Sequence, residues 1–279
     1  MQQKEILNFM IELSKEMGII SMKYFRNLKK EDSKNKSKYH DDPVTIADLE
    51  ISEHIIKKIK EKYGNKVSIL CEETELEINT NKPMFIIDEL DGTRVFRDGK
   101  ENFCHMLCYF DKEPLISVIY VPIENDLYYA IKDKGAYKND KQIFCSKNLF
   151  TKESKGIFSM SSSEKHYNKF KKTIDKFKKL KQFIPYKNSN IKGSFGYQGC
   201  KLAENEIDFF YGTRPKVWDM AATYLLVKEA KGKCYILKNE ENLINPKEWN
   251  FNEHYKLKQV PVLFTNSYVD EGLFEFLKK

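Results

Sequence analysis

The sequence predicts a layered α/β protein, with an α+β amino-terminal half over residues 1–147 and an α/β carboxy-terminal half over residues 148–279. Three observations carry that reading. Two amphipathic helical periods open the chain, a run of short apolar strands follows them, and beyond about Ser146 strands and helices alternate.

Ile6, Phe9, Leu13, Met17 and Ile20 share one face of residues 4–27, which makes a first long helix. Residues 29–42 hold almost no apolar side chain and are expected as a mobile loop. Thr45 then opens a second helix with Leu49, Ile51, Ile55, Ile56 and Ile59 as its core face. Strands are expected at 67–71, 84–88, 103–110, 115–121 and 127–131, in a meander-like order. The second half reads strand 156–160, helix 164–180, strand 182–186, helix 195–204, strand 207–211, helix 218–230, strand 233–237, strand 260–264 and helix 269–277. The boundary near 147 carries no linker long enough to separate the halves, and no internal repeat is visible.

Composition narrows the function classes. Hydrophobic residues make up 41% of the 279 and aromatics 13%, enough for a sizeable core. No run of about 18 apolar residues exists, so no membrane span is expected. The chain enters its first amphipathic helix directly from Met1-Gln2-Gln3-Lys4-Glu5, without an apolar signal core, so a cytoplasmic location is expected. Six cysteines at 71, 104, 108, 145, 200 and 234 show no paired spacing and read as reduced core residues. The net charge of +7 suits an anionic ligand or nucleic acid. The densest lysine run, 165–181, interleaves Tyr167, Phe170, Ile174 and Phe177 at steps of three and four. That is a helix with a solvated outer face, so no nucleic-acid partner is expected.

Four acidic clusters stand at the ends of these elements: Asp48, Glu72-Glu73, Asp88-Glu89-Leu90-Asp91 and Asp219. Carboxylates at strand ends can converge, and packed together each resists ionising. A hard divalent cation resolves that conflict, and Mg²⁺ favours a few carboxylates with waters and phosphate oxygens. Gly92-Thr93, directly after the acidic pair, offers backbone N–H groups apt for an anion. Taken singly, each acid also fits a plainer role: Asp219 as a helix cap, Glu72 in a solvated loop.

At these residues the chain resembles the inositol monophosphatase superfamily of lithium-sensitive, Mg²⁺-dependent phosphatases. The motif Asp-Pro-hydrophobic-Asp-Gly-Thr appears as Asp88-Glu89-Leu90-Asp91-Gly92-Thr93, and Gly-Glu-Glu appears as Cys71-Glu72-Glu73. Trp-Asp-x-Ala-Ala appears as Trp218 to Ala222, its helix ending in Glu229-Ala230-Lys231-Gly232. Val-Thr-x-x-Asp is Val44 to Asp48. Departures are Glu89 for Pro, Cys71 for Gly and Lys231 for Gly, and none removes a metal-binding side chain.

The resemblance implies alternating helix and sheet layers, an αβαβα sandwich. It implies two or three Mg²⁺ ions held by Glu72, Asp88, the Leu90 carbonyl, Asp91 and Asp219, with Asp48 acting on a further ion or its waters, and inhibition by Li⁺. Thr93 and Glu72 would orient and help deprotonate a water, and Gly92 and Thr93 amides would hold the phosphate. Arg94, Gly193, Ser194, Arg214 and Lys216 are the expected phosphate or substrate contacts. The partner implied is a small-molecule phosphomonoester, and a homodimer is possible in such a family.

For the substrate, the Asp-Gly-Thr-Arg-Val-Phe loop and Lys216-Val217-Trp218-Asp219 resemble the 3′(2′),5′-bisphosphate nucleotidases. The spacing from Gly193-Ser194 to Trp218-Asp219 resembles the inositol monophosphatases instead. The glutamate with which those enzymes read inositol hydroxyls falls at Gly212, which cannot make the contact. The expectation is hydrolysis of 3′-phosphoadenosine 5′-phosphate, with inositol 1-phosphate or a sugar phosphate such as fructose 1,6-bisphosphate as the alternative. A non-catalytic nucleic-acid binder is the unlike class, disfavoured because every metal-binding carboxylate is present.

Overall fold

The computed structural model describes residues 2–36, 43–159, 171–184, 194–213, 215–237, 247–248 and 260–278. Helix α1 spans Gln3–Tyr24 and α2 spans Ile46–Tyr63. Ile6, Phe9, Leu13, Met17 and Ile20 are all buried, as are Ile51, Ile55 and Ile59. Leu49 corrects the expected face: it is 52% exposed. Two positions before Ile51, it lies over half a turn around the helix from the buried stripe.

Part of the expected loop is ordered structure. A single 3₁₀ turn at Lys30–Asp32 leads into β1, Ser33–Asn35, which pairs antiparallel with β2, Pro43–Thr45. This ribbon is held by backbone hydrogen bonds and buries little of β1, so its polar sequence carries no period to read. Residues 37–42 lie outside the described residues.

A seven-stranded sheet follows in chain order: β3 Ser68–Cys71, β4 Met84–Asp91, β5 Cys104–Asp111, β6 Glu113–Val121, β7 Asp126–Ile131, β8 Gly135–Lys138 and β9 Lys141–Ile143. Only β3 and β4 pair in parallel; every later pair is antiparallel. The sequence reading lacked β8 and β9, which are short and partly polar. One short helix, α3 at Thr93–Arg97, interrupts the run after β4.

The second sheet has the order β11-β10-β12-β15-β13-β14, from β10 Gly156–Ser159, β11 Phe183–Ile184, β12 Phe209–Gly212, β13 Lys233–Ile236, β14 Lys247–Glu248 and β15 Val262–Thr265. Its helices are α4 Lys171–Phe177, α5 Phe195–Ala203, α6 Val217–Glu229 and α7 Asp270–Lys278. Ile174 and Phe177 are buried as the lysine-rich period predicts. The remainder of that helix, 164–170, lies outside the described residues.

Side-chain alternation along the strands sorts the core into three clusters and gives the layer order. On β4, Phe85 and Ile87 face α1 and α2, while Met84 and Ile86 face the cluster that contains α5 and α6. On β12, Phe210 joins that same middle cluster and stacks on Phe264 at 4.7 Å. Phe209 and Tyr211 face α4 and α7. The result is helix, sheet, helix, sheet, helix: the αβαβα sandwich. Helix α6 sits between two sheets and is buried nearly all round, at Met220, Ala221, Ala222, Leu225, Leu226 and Val227, as a helix without a polar face must be. No helix of the described residues is long and apolar enough to cross a membrane. All six cysteines are buried and free.

Candidate metal centre

Three elements bring carboxylates together. Glu72 follows the end of β3, Asp88 lies in β4, and Asp219 lies in the first turn of α6. Each offers an oxygen, and these oxygens lie within 4.8 Å of one another. Asp88 points from β4 toward the middle helical layer, on the same side as Ile86. A β-bulge between Asp88 and Asp91 shifts the register, so Asp91 faces α5 although the pair is an odd three positions apart.

Asp219 caps its own helix. One oxygen, Oδ2, accepts the Lys216 amide at 2.5 Å and caps α6. Asp48 behaves likewise at α2: Oδ2 accepts from the Thr45 amide at 2.8 Å and the Thr45 hydroxyl at 2.6 Å. Its other oxygen, Oδ1, lies 3.2 Å from Thr93 Oγ1, which also stands 3.0 Å from the Leu90 carbonyl. Asp48, Leu90 and Thr93 therefore form one group beside the bulge. Gly92 enters α3 at φ 92°, a left-handed conformation suited to glycine.

Asp91, whose charge acts on both Asp88 and Asp219, is engaged by α5. Its Oδ2 receives the Ser194 hydroxyl and the Gly196 amide, both at 2.5 Å. Ser194, expected at the substrate, is fully buried and caps α5 by accepting from the Tyr197 amide. Arg94 is half-buried on α3. Gly193 and Arg214 lie outside the described residues.

Electrostatics show what the cluster lacks. Burial, then the charges of Glu72, Asp91 and Asp219, pushes the Asp88 carboxyl well above its ordinary range. Burial, then Asp91 and Glu72, pushes Asp219 up to about 8. Asp91 rises to about 6, first through burial, and Asp48 to about 6 for the same reason. Glu72 differs. Burial pushes it up, but Lys216 and Lys36 outweigh that and hold it below the usual value. Lys216 Nζ lies 2.9 Å and Lys36 Nζ 3.2 Å from Glu72 Oε1.

Lys36 and Lys216 both reach Glu72, and although the Lys216 charge also acts on Asp219, burial and neighbouring carboxylates keep Asp88 and Asp219 raised. An oxygen-only donor set that resists ionising fits a hard divalent cation such as Mg²⁺. Glu72, Asp88 and Asp219 would hold it.

Sequence reasoning missed Lys36, Glu73 and His105. Lys36 lies in the polar stretch and pairs with Glu73 as well as Glu72. His105 is fully buried between Ser21 and the Glu89 carbonyl. Lys36 and His105 belong to no motif that the sequence displays, and Glu73 stands in the Glu-Glu pair, which by itself names no partner for it.

The sequence model of the inositol monophosphatase family matches residues 2–262. The chain belongs to the inositol monophosphatase family. Members are metal-dependent phosphoric monoester hydrolases, and this chain is a phosphatase of that kind. It is 30% identical over 227 residues to the fructose-1,6-bisphosphatase/inositol-1-monophosphatase of Thermotoga maritima, covering 81% of this chain and 82% of that one. Among solved structures, extragenic suppressor protein suhB from Bartonella henselae superimposes with a TM-score of 0.82 at 22% identity, covering 99% of each chain. Staphylococcal inositol monophosphatase-1, in an inhibitory complex soaked in LiCl, gives 0.78 at 19% identity, covering 99% of this chain and 95% of its own. These likenesses extend across both halves of the inositol monophosphatase fold.

Proposed function

We propose that this phosphatase is Mg²⁺-dependent and hydrolyses bisphosphorylated small molecules, 3′-phosphoadenosine 5′-phosphate foremost, at one phosphomonoester. The observation that carries the substrate class is a basic cleft that takes in the end of α3, the helix that opens with Thr93. A cavity of about 360 Å³ is lined by Leu28, Lys29, Ser33, Lys34, Asn35 and Arg97. Arg97 stands one helical turn from Thr93 on the same face of α3. Lys34 lies in β1, two positions before Lys36, whose ammonium reaches Glu72. A second phosphate bound there would meet three cationic side chains, Lys29, Lys34 and Arg97, the last of which is ion-paired with Asp98 at 3.0 Å and would share or exchange that partner. Gly212 supports the same reading. A Cβ at that position would lie 2.6 Å from the Phe195 ring, so the wall has no room for an acid that reads polyol hydroxyls.

The bound Mg²⁺ would supply charge neutralisation at the transferring phosphoryl group and a more acidic water. The chain's own groups do the rest. Thr93 Oγ1 holds the attacking water and relays its proton to Asp48 Oδ1, whose raised basicity suits that task near neutral pH. Glu72 helps orient the water, and the Gly92 and Thr93 amides hold the phosphate. Lys216, carried at the start of α6 within reach of Glu72, attends the anionic substrate. The cell's reducing interior is the compartment in which six free buried thiols belong.

A second reading, inositol 1-phosphatase, is supported by the name of the Thermotoga maritima relative, which couples that activity with fructose-1,6-bisphosphatase. Phosphate release from 3′-phosphoadenosine 5′-phosphate, fructose 1,6-bisphosphate, inositol 1-phosphate and AMP, with and without Mg²⁺, separates them. The bisphosphates are expected to show the higher kcat/KM, and Arg97→Gln to narrow the gap by weakening them. A kcat/KM that favours inositol 1-phosphate overturns the bisphosphate reading.

A further inference from the structure

Strand β3 ends at Cys71, whereas its parallel neighbour β4 runs on to Asp91. Their pairing stops at Cys71 and Ile87, so the amides of Glu72 and Glu73 have passed the end of the ladder. Backbone donors in a half-buried segment need acceptors, and leaving one without costs about 1–3 kcal/mol. The acceptors come from a side chain. The Glu72 amide donates to Glu89 Oε2 at 3.2 Å and the Glu73 amide to Glu89 Oε1 at 3.4 Å.

Glu89 is itself fixed. It is fully buried, and its carbonyl accepts from His105 Nδ1 at 2.6 Å. A carbonyl only accepts, so Nδ1 carries the ring proton. Because Glu89 follows Asp88 in an extended strand, it points to the opposite face, toward α1 and α2, where Ser52 of α2 bonds its carboxylate. Asp88 meets Asp219; Glu89 turns away from both. The motif that this chain resembles carries proline here, whose ring has no acceptor. The extra rung belongs to this chain.

We propose that Glu89 is a positioning residue: its carboxylate fixes the Glu72–Glu73 backbone so that the Glu72 carboxylate reaches Asp88 and Asp219. This rests on the metal-centre reading. Glu89 is no ligand, since both its oxygens are turned to the two amides and the converging group is Glu72, Asp88 and Asp219. Its influence on a metal passes through the backbone of its neighbour strand, as supporting residues around metal ligands act elsewhere, with losses of 10–100-fold when they are removed.

The test uses the full chain in three forms: wild type, Glu89→Met, which keeps volume and loses both acceptors, and Glu89→Gln, which keeps one. Amide exchange is read in EDTA-treated protein, and Mg²⁺ affinity by calorimetry. In Glu89→Met both the Glu72 and Glu73 amides are expected to lose protection, and the Mg²⁺ Kd to rise roughly tenfold or more. Glu89→Gln is expected to fall between it and wild type, with one amide released. Should the Met protein not fold, the Gln protein still reads the single released amide. Unchanged amide protection in either variant overturns the proposal. So does a Gln protein as weak for Mg²⁺ as Met with both amides protected, the signature of a lost ligand. If wild type takes up no Mg²⁺, the metal reading fails, and the role of Glu89 in placing a ligand falls with it.

Discussion

The amide of Gly196 donates to Asp91 Oδ2 at 2.5 Å, which ties the first turn of α5 to the end of β4. The approach depends on a missing side chain: a Cβ at Gly196 would lie 2.2 Å from Met106 Sδ and 2.8 Å from Cys104 Sγ. Gly196→Ala is therefore expected to push α5 off Asp91, at a cost of about 1–3 kcal/mol, and to lower kcat/KM. Thermal melts and phosphate release check both effects. An alanine protein with wild-type stability and turnover would show that the contact is dispensable.

Metal should stabilise this protein by relieving its own carboxylates. At a hundredfold excess over Kd, Mg²⁺ binding to the folded state alone adds about 2.7 kcal/mol, a Tm rise of roughly 5 °C for a chain this long. Asp88→Asn removes one of the buried like charges. Its metal-free Tm should equal or exceed that of wild type, while its Mg²⁺-induced rise and its turnover are largely lost. An undiminished rise in Asp88→Asn would remove Asp88 from the ligand set.

Lithium offers a separate check on Asp48. If Asp48 with Thr93 serves a weakly held ion or its waters, LiCl should inhibit at concentrations where KCl does not. The motivation is the group of Asp48, Leu90 and Thr93 beside the bulge. Superimposable LiCl and KCl inhibition curves would count against it.

Acid should destabilise the fold through His105. Burial pushes its ring from an ordinary 6.5 down to about 4, against the smaller opposing effect of the Glu89 carbonyl. The unfolded chain takes up the proton first. Above about pH 6.5 both states are neutral and the ring contributes nothing. As pH falls from there to about 4, stability is lost, by up to roughly 3 kcal/mol. The carboxylates with raised values change in the opposite direction, so the diagnostic is the difference between wild type and His105→Gln. Melts at pH 7 and pH 5 should show wild type losing more Tm than the variant; equal losses would place the proton elsewhere.

What the sequence revealed depended on periodicity and motif. Apolar side chains that recur at helical or strand spacing reported the layers because the core selects them, as in α1 and β4. Leu49 misled because an apolar side chain inside an amphipathic segment reads as core even when it sits on the far face. The acids of the centre were legible as motif residues. Their actual company was not: that Ser194 turns inward to Asp91 rather than outward is set by the docking of α5, which no local pattern encodes. Lys36 and Glu89 act through pairings between segments far apart in the chain, and polar residues carry no period to announce them.

Glu72 and Lys216, 144 positions apart, meet only when α6 has docked between the two sheets. Contacts of such sequence separation form late, since chain closure must be achieved before they stabilise anything. The amino-terminal helices and the meander of β5 to β7 are built from local contacts and can assemble first. Catalytic competence should therefore be the slowest signal to return on refolding, arriving after most of the circular dichroism has recovered, because the last carboxylate to join the cluster rides on the helix that closes the middle layer.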